Sequence, residues 1–373
     1  MRIVQLTTVH RWDDVRIYHK ISRTLADAGH DVHMVAPAPG AGERSDPGHI
    51  TMHWLPPSGS RPARLLNAWR AVGAVRRARP DVVHFHDPEL MPTALLLRCL
   101  GIRVVYDVHE DLPADIMQKE WISKFLRRPV SLVARLSEWC FTRLAATAII
   151  PVTNHIARRF PPRRTVVVQN YPLLEELQSS SGSAPGKPPG SFVYIGGITR
   201  DRGGLEMIEA ASQAGVAVDL VGPVVPPAFK RELESAAEGT PATLVGSVSR
   251  TEVGTRLANA RASFVLFHPA PNHTNAQPNK LFESMSAGVP VIASDFPAWR
   301  RIVDGEQCGL LVDPLDSQAI AHAMTWLLEH HEDAEAMGRR GRQAVEQRYN
   351  WESESTRLID LYASLERGDP VAR

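Results

Sequence analysis

The stretch 272–295, NHTNAQPNKLFESMSAGVPVIASD, restricts the fold more than any other part of the chain. Pro278 suits a helix start, because its missing N–H would be unsatisfied there anyway. Gly288 marks the helix end, and Val289 to Ala293 is a short apolar run of the kind that forms a buried strand. A helix leading straight into a buried strand is half of a βαβ unit, which calls for a parallel sheet with helices on its faces. The amides of Asn279, Lys280 and Leu281 would be free in the first turn, and Lys280 adds a positive charge. Such a terminus attracts anions. Glu283 lies one turn further on, and helical side chains lean back toward the start. Phosphate on the amides and ribose hydroxyls on the carboxylate would hold a nucleotide. An ordinary αβ unit with a surface Lys and Glu is the alternative.

The same alternation runs through the chain. Arg2 to Leu6 is a strand, Ile17 to Gly29 an amphipathic helix and Asp31 to Val35 the next strand. The loop between, Thr7 to Arg16, carries His10, Asp13, Asp14 and Arg16 at a strand's C-terminal end, where open parallel sheets bind ligands. The alternative there is a solvated loop closed by its own salt bridges. Asp81 to Asp87 and Val104 to Asp111 are strands that end in polar clusters, the first with His84 and His86 on one face. That pair lacks the spacing of a metal site, so no metal is expected. Two segments mix basic and apolar residues: Ser58 to Pro80, and Asp115 to Ala146 with an interruption expected near Pro129. Either could lie on a membrane surface; packed helices with a solvated basic face are the favoured reading. Thr147 to Val152 is a strand, and Val166 to Asn170 closes a first domain of residues 1–170. Leu173 to Gly190, rich in Ser, Gly and Pro, reads as a linker. Ser191 to Ile195 then opens a second domain, running into the glycine-rich Gly196 to Gly204 and a helix from Leu205. Further strands are expected at Ala217 to Gly222, Ala242 to Val248 and Ser263 to His268, and helices at Ala319 to Leu328 and Ala334 to Arg348.

KLFESMSAGVPVIASD resembles the signature of retaining glycosyltransferases of family 4, which have the GT-B fold. The loop GGITRDRG resembles a variant found in a subset of that family. The resemblance covers nearly the whole chain and is more specific in the second domain. It implies an α/β protein of two Rossmann-like domains facing each other across a cleft. Residues 1–170 would bind the acceptor and 171–348 the nucleotide-sugar, while a final helix within 349–373 crosses back to the first domain. Glu283 matches the family's ribose-binding glutamate. The glutamate eight positions earlier is replaced by Asn275, which keeps a hydrogen bond to the sugar but no charge. Family members usually place Arg and Lys on the phosphates. Here Gly197 stands at the Arg position and Arg202 at the Lys position, with Arg200 as a substitute charge. Gly246 would lie beside the nucleobase. His109 matches a histidine near the reacting sugar carbon, with a capping role inside the fold as the alternative. Asp14, Arg16, His86 and Glu110 are the acceptor-side candidates.

Charge separates the halves. Residues 1–170 hold 24 Lys and Arg against 15 Asp and Glu, and the remainder is acidic. A basic first domain expects an anionic partner: a lipid surface, a phosphorylated acceptor or the donor's diphosphate. No nucleic-acid motif accompanies the charge, so nucleic acid is not expected. Cys99, Cys140 and Cys308 lack metal or disulfide spacing and read as core thiols of a cytoplasmic protein, with the inner membrane face as a second location. The implied reaction moves a sugar, from UDP by family frequency, to a hydroxyl acceptor in envelope polysaccharide or natural-product synthesis. It needs no metal or other cofactor, because cationic side chains would take the metal's place. A nucleotide-sugar epimerase of the same fold and a non-catalytic nucleotide-binding partner are the competing readings.

Overall fold

The computed structural model describes residues 1–40, 48–57, 59–119, 121–174 and 191–371, with only the backbone described at Arg61 and Arg250. Most of the expected linker, 175–190, therefore lies outside the described residues. The chain divides into two compact units, Met1–Asn170 with Trp351–Arg373, and Tyr171–Asn350.

The first unit holds a six-stranded parallel sheet. Its strands are β1 (Arg2–Leu6), β2 (Asp31–Pro37), β3 (Thr51–Leu55), β4 (Val82–Phe85), β5 (Arg103–Val108) and β6 (Ala148–Pro151), in the order β3-β2-β1-β4-β5-β6. The reversal beside β1 makes the C-terminal ends of β1 and β4 a switch point, where doubly wound sheets bind ligands. The central strands are buried on both faces, as a sheet covered by helices on each side requires. β3, with its alternating TMHWL, is a strand that the sequence reading did not include.

The second unit repeats the plan. β7 (Phe192–Ile195), β8 (Val218–Val221), β9 (Ala242–Gly246), β10 (Ser263–Val265), β11 (Val291–Ser294) and β12 (Gly309–Val312) are all parallel, in the order β12-β11-β10-β7-β8-β9. β7, β8 and β9 lead into Gly196, Gly222 and Gly246, each with positive φ. At Gly222 the need for glycine is steric: a Cβ would stand 2.1 Å from the carbonyl oxygen of Gly196.

Several expectations need correction. The helix expected from Ile17 begins at Val15 as a wide π-type turn to Ser22, then tightens into Arg23–Asp27. Asp14 causes the early start: its carboxylate accepts from the amides of Arg16 and Ile17. The break expected at Pro129 falls instead between the helices Leu112–Gln118 and Lys124–Leu144, and Pro129 sits inside the second. That helix also does not present a mainly basic face to water; Phe125, Leu132, Leu136 and Trp139 are exposed. Cys308 is buried, but Cys99 and Cys140 are exposed and are not core thiols.

Candidate functional site

In the second unit, the loop after β7, the end of β10 and one helix start bring two cationic side chains together. The helix Asn279–Ser286 is capped by Pro278 and closed by Gly288, whose positive φ lets the Val289 amide turn back to the Ser284 carbonyl. Pro278 thus precedes the helix rather than opening it. The amide of Leu281 is already bonded to the Pro278 carbonyl at 3.0 Å, so it is not among the free donors.

Lys280 is the centre of this site. Its stem reaches back so that Nζ lies 3.9 Å from the centroid of Tyr194 and 5.4 Å from that of Phe267. The guanidinium of Arg202 lies over the same Phe267 ring, also at 5.4 Å. The ammonium of Lys280 is buried and has no hydrogen-bond partner among the described residues. Burial and the neighbouring Arg202 outweigh the attraction of Glu283 and lower its pKa to about 7. A buried amine with a lowered pKa and no hydrogen-bond acceptor, set beside an arginine, is an unfinished anion site. Phosphate oxygens would supply both the missing hydrogen bonds and the missing charge.

The glycine loop makes room for it. A Cβ on Gly196 would stand 3.3 Å from Nζ of Lys280, and one on Gly197 would stand 3.3 Å from Nη1 of Arg202. Arg202 is steadied by the carbonyl of Gly197 at 3.3 Å, which also accepts from the hydroxyl of Tyr194 at 2.8 Å. Arg200 is not brought to this pair. It forms an exposed ion pair with Glu232 and lies over Phe229. Gly246 ends β9, where its carbonyl takes the amide of Gly222 at 2.8 Å. Glu283 is exposed one turn in from Asn279. Asn275 is exposed, follows the short helix Pro271–Thr274, and meets the Thr274 hydroxyl at 3.3 Å.

In the first unit the polar strand ends converge on Asp107, a residue that the sequence reading did not single out. Its carboxylate is fully buried and accepts from Arg16 through both oxygens, at 2.7 and 2.9 Å. Nδ1 of His86 lies 3.0 Å from it and Nε2 of His109 lies 2.8 Å from it. Burial alone would raise the Asp107 pKa. Arg16, then the two histidines, hold it well below the usual carboxylate range. An ionised Asp107 can only accept, so Nε2 of His109 carries the proton between them. Burial keeps His86 neutral, and the Gln5 side-chain amide meets its Nε2 at 2.9 Å.

A second carboxylate supports the rim. Asp87 takes the Thr8 amide at 2.6 Å and the Thr7 hydroxyl at 2.9 Å. Nε2 of His10 stands 3.4 Å from Asp87, and its Nδ1 stands 3.5 Å from Asp14. Its ring lies 5.2 Å from that of His109. Burial would lower the His10 pKa, but the Asp14 hydrogen bond and the nearby carboxylates raise it. His109 thus has a buried carboxylate below it and a second histidine beside it, and is itself partly exposed. Glu110 is exposed, and Asp111 caps the following helix and pairs with Arg159. The orientation of His109 therefore falls to Asp107, not to these neighbours. Arg16 and Asp14 are likewise engaged within the fold, as a buried ion pair and a helix cap.

His84, His86 and Asp107 offer ligand atoms within 4.8 Å of one another, as a metal site would. A cation there would lie beside the buried guanidinium of Arg16, on a carboxylate that already accepts from three residues. The donor set fits a hydrogen-bond network better than a metal.

Comparison with known proteins identifies the family. Residues 15–171 match the family model of a glycosyl transferase 4-like domain, and residues 190–330 match that of glycosyl transferases group 1. A glycogen synthase of Mycobacterium tuberculosis is 23% identical, over 95% of this chain and 91% of its own. Among solved structures, a sucrose-phosphate synthase of Thermosynechococcus elongatus superposes with a TM-score of 0.77 at 17% identity, covering 99% of this chain and 100% of its own. HepE of Anabaena, solved with UDP-glucose, gives 0.72 at 15% identity over 98% and 100%. With both units matched over most of the chain, the protein belongs to the family-4-like, group 1 glycosyltransferases of GT-B fold.

Proposed function

We propose that this glycosyltransferase moves a sugar from a nucleoside-diphosphate sugar to a hydroxyl acceptor with retention of the anomeric configuration. The observation that carries the donor reading is the buried, unpartnered ammonium of Lys280 beside Arg202. These two cations would bind the diphosphate and stabilise the charge that gathers on it as the glycosidic bond breaks. They fill the role a divalent ion has in other transferases, so no metal is required. Glu283 would accept from ribose hydroxyls, and Asn275 would hydrogen-bond the sugar. UDP is the expected nucleotide, in line with the UDP-glucose bound to HepE of Anabaena.

His109 would contact the sugar near its reacting carbon, aligned by Asp107. A departing phosphate oxygen could take the acceptor's proton, so no strong protein base is needed. The test is incubation with UDP-glucose and other UDP- and GDP-sugars in chelator, with and without hydroxyl acceptors, following nucleotide release and the product's anomeric signal by NMR. Acceptor-dependent release with an α-linked product from an α-linked donor supports the reading. Release that needs no acceptor points to the epimerase, and binding without any release points to a non-catalytic partner.

A further inference from the structure

The helix Lys124–Leu144 is built inside out. Toward the protein it turns Ser131, Glu138 and Thr142, with Phe141 as its apolar anchor against Phe85 and Tyr106. Glu138 takes the Tyr106 hydroxyl at 3.1 Å and pairs with Arg159, so the polar face has an internal purpose. The opposite face meets water with large apolar groups. Phe125 is 92% exposed, Leu132 56%, Leu136 53% and Trp139 51%. At 100° per residue these four fall within one narrow stripe, and exposed Leu126 and Leu144 lie about 80° round the helix from it. Trp121, just before the helix, is also exposed. The helix Met91–Cys99 packs beside it with Leu95 and Leu96 exposed, and Arg61–Ala78, which packs on Met91–Cys99, exposes Leu65, Leu66 and Trp69. In the second unit, which has the same architecture, Val225 and Leu315 alone of the large apolar side chains are exposed among the described residues. An apolar surface of this extent calls for something that covers it.

The charges say what. Lys124, Arg128 and Arg135 run along one edge of the stripe, and Arg143 lies within it, its guanidinium 4.6 Å from the centroid of Trp139. The helix's one carboxylate, Glu138, is buried. A second copy packed antiparallel here would set basic edge against basic edge. A bilayer with anionic headgroups takes both features at once: the stripe enters the headgroup–acyl boundary, tryptophans sit at that boundary, and the cations meet phosphates. We propose that the exposed face of Lys124–Leu144 docks on an anionic lipid bilayer, with the helix lying along the surface. No helix among the described residues is long and apolar enough to cross a membrane, so the contact is peripheral. This inference stands on the first unit alone and does not depend on the donor reading.

The test uses the full chain in flotation against phosphatidylcholine vesicles with and without phosphatidylglycerol, alongside two variants changed only at exposed positions. In one, Phe125, Leu132 and Leu136 become Ser; in the other, Lys124, Arg128 and Arg135 become Gln. Wild type should float with the anionic vesicles, at least about tenfold more than with neutral ones, and Trp emission should shift to shorter wavelength. The apolar variant should remain in solution with either vesicle, and the charge variant should lose the anionic preference. Both should keep the wild-type melting temperature and UDP affinity. Failure of the wild type to float, unchanged binding by the apolar variant, or a wild-type dimer in sedimentation that the apolar variant abolishes would each overturn the proposal.

Discussion

In the first unit the buried carboxylate of Asp107 accepts from Arg16, His86 and His109 at 2.7 to 3.0 Å, whereas in the second the ammonium of Lys280 is buried with no hydrogen-bond partner. Both groups stand near the C-terminal edge of a six-stranded parallel sheet, yet their charges are treated in opposite ways. Asp107 is held far into its ionised range, so its charge is fixed before any ligand arrives. Lys280 is pulled down to about 7, so its charge is completed only when an anion arrives. A satisfied network positions a side chain such as His109. An unsatisfied one marks where a ligand belongs.

If that contrast holds, breaking the two sites should damage different properties. Arg16→Met strands the Asp107 carboxylate and should cost roughly 3–5 kcal/mol of stability, read as a lowered first transition in calorimetry. Lys280→Met should leave the melting temperature unchanged or raise it, because it removes a costly buried amine. Next in size, His109→Ala should lower kcat by about a hundredfold while nucleotide affinity stays within twofold, since its partner Asp107 keeps Arg16 and His86. Retained turnover would remove His109 from the reaction.

The second site's pH dependence sharpens the contrast further. Bound diphosphate favours the ammonium form, so binding takes up a proton above the free pKa of about 7. UDP-sugar affinity should therefore be level below that pH and fall above it, by up to about tenfold per pH unit. A UDP-sugar is the right probe, because its phosphates do not titrate in this window. Smallest of all, Arg200→Ala breaks an exposed pair with Glu232 and should change donor affinity by less than about twofold. A large loss there would return Arg200 to the phosphates.

How much of this could be read from sequence follows from what each feature depends on. The helix Asn279–Ser286 and the strand after it were legible because Pro278 and Gly288 punctuate them locally. Lys280 was legible by position, but its burial beneath Tyr194 and Phe267 was not, because one ring lies on β7 and the other just past β10. Asp107 was hidden inside the apolar run of β5, although a lone carboxylate there, two residues before His109 and so on the same face, was a signal available in the sequence. Arg200 looked equivalent to Arg202, and only the geometry of the loop sends one toward Glu232 and the other toward Phe267. The helix Lys124–Leu144 shows a further limit. Periodicity reveals an apolar stripe but not whether the stripe faces the core.

The central claim is that Lys280 is left unpartnered to receive the donor's diphosphate. Calorimetric titration of UDP into the wild-type and Lys280→Met chains, in chelator and then with magnesium, tests it most directly. Metal-independent binding by the wild type, weakened at least about tenfold in the variant by the loss of a charged hydrogen bond, is the predicted result. Equal affinity in the two chains, or binding that appears only with magnesium, would contradict it.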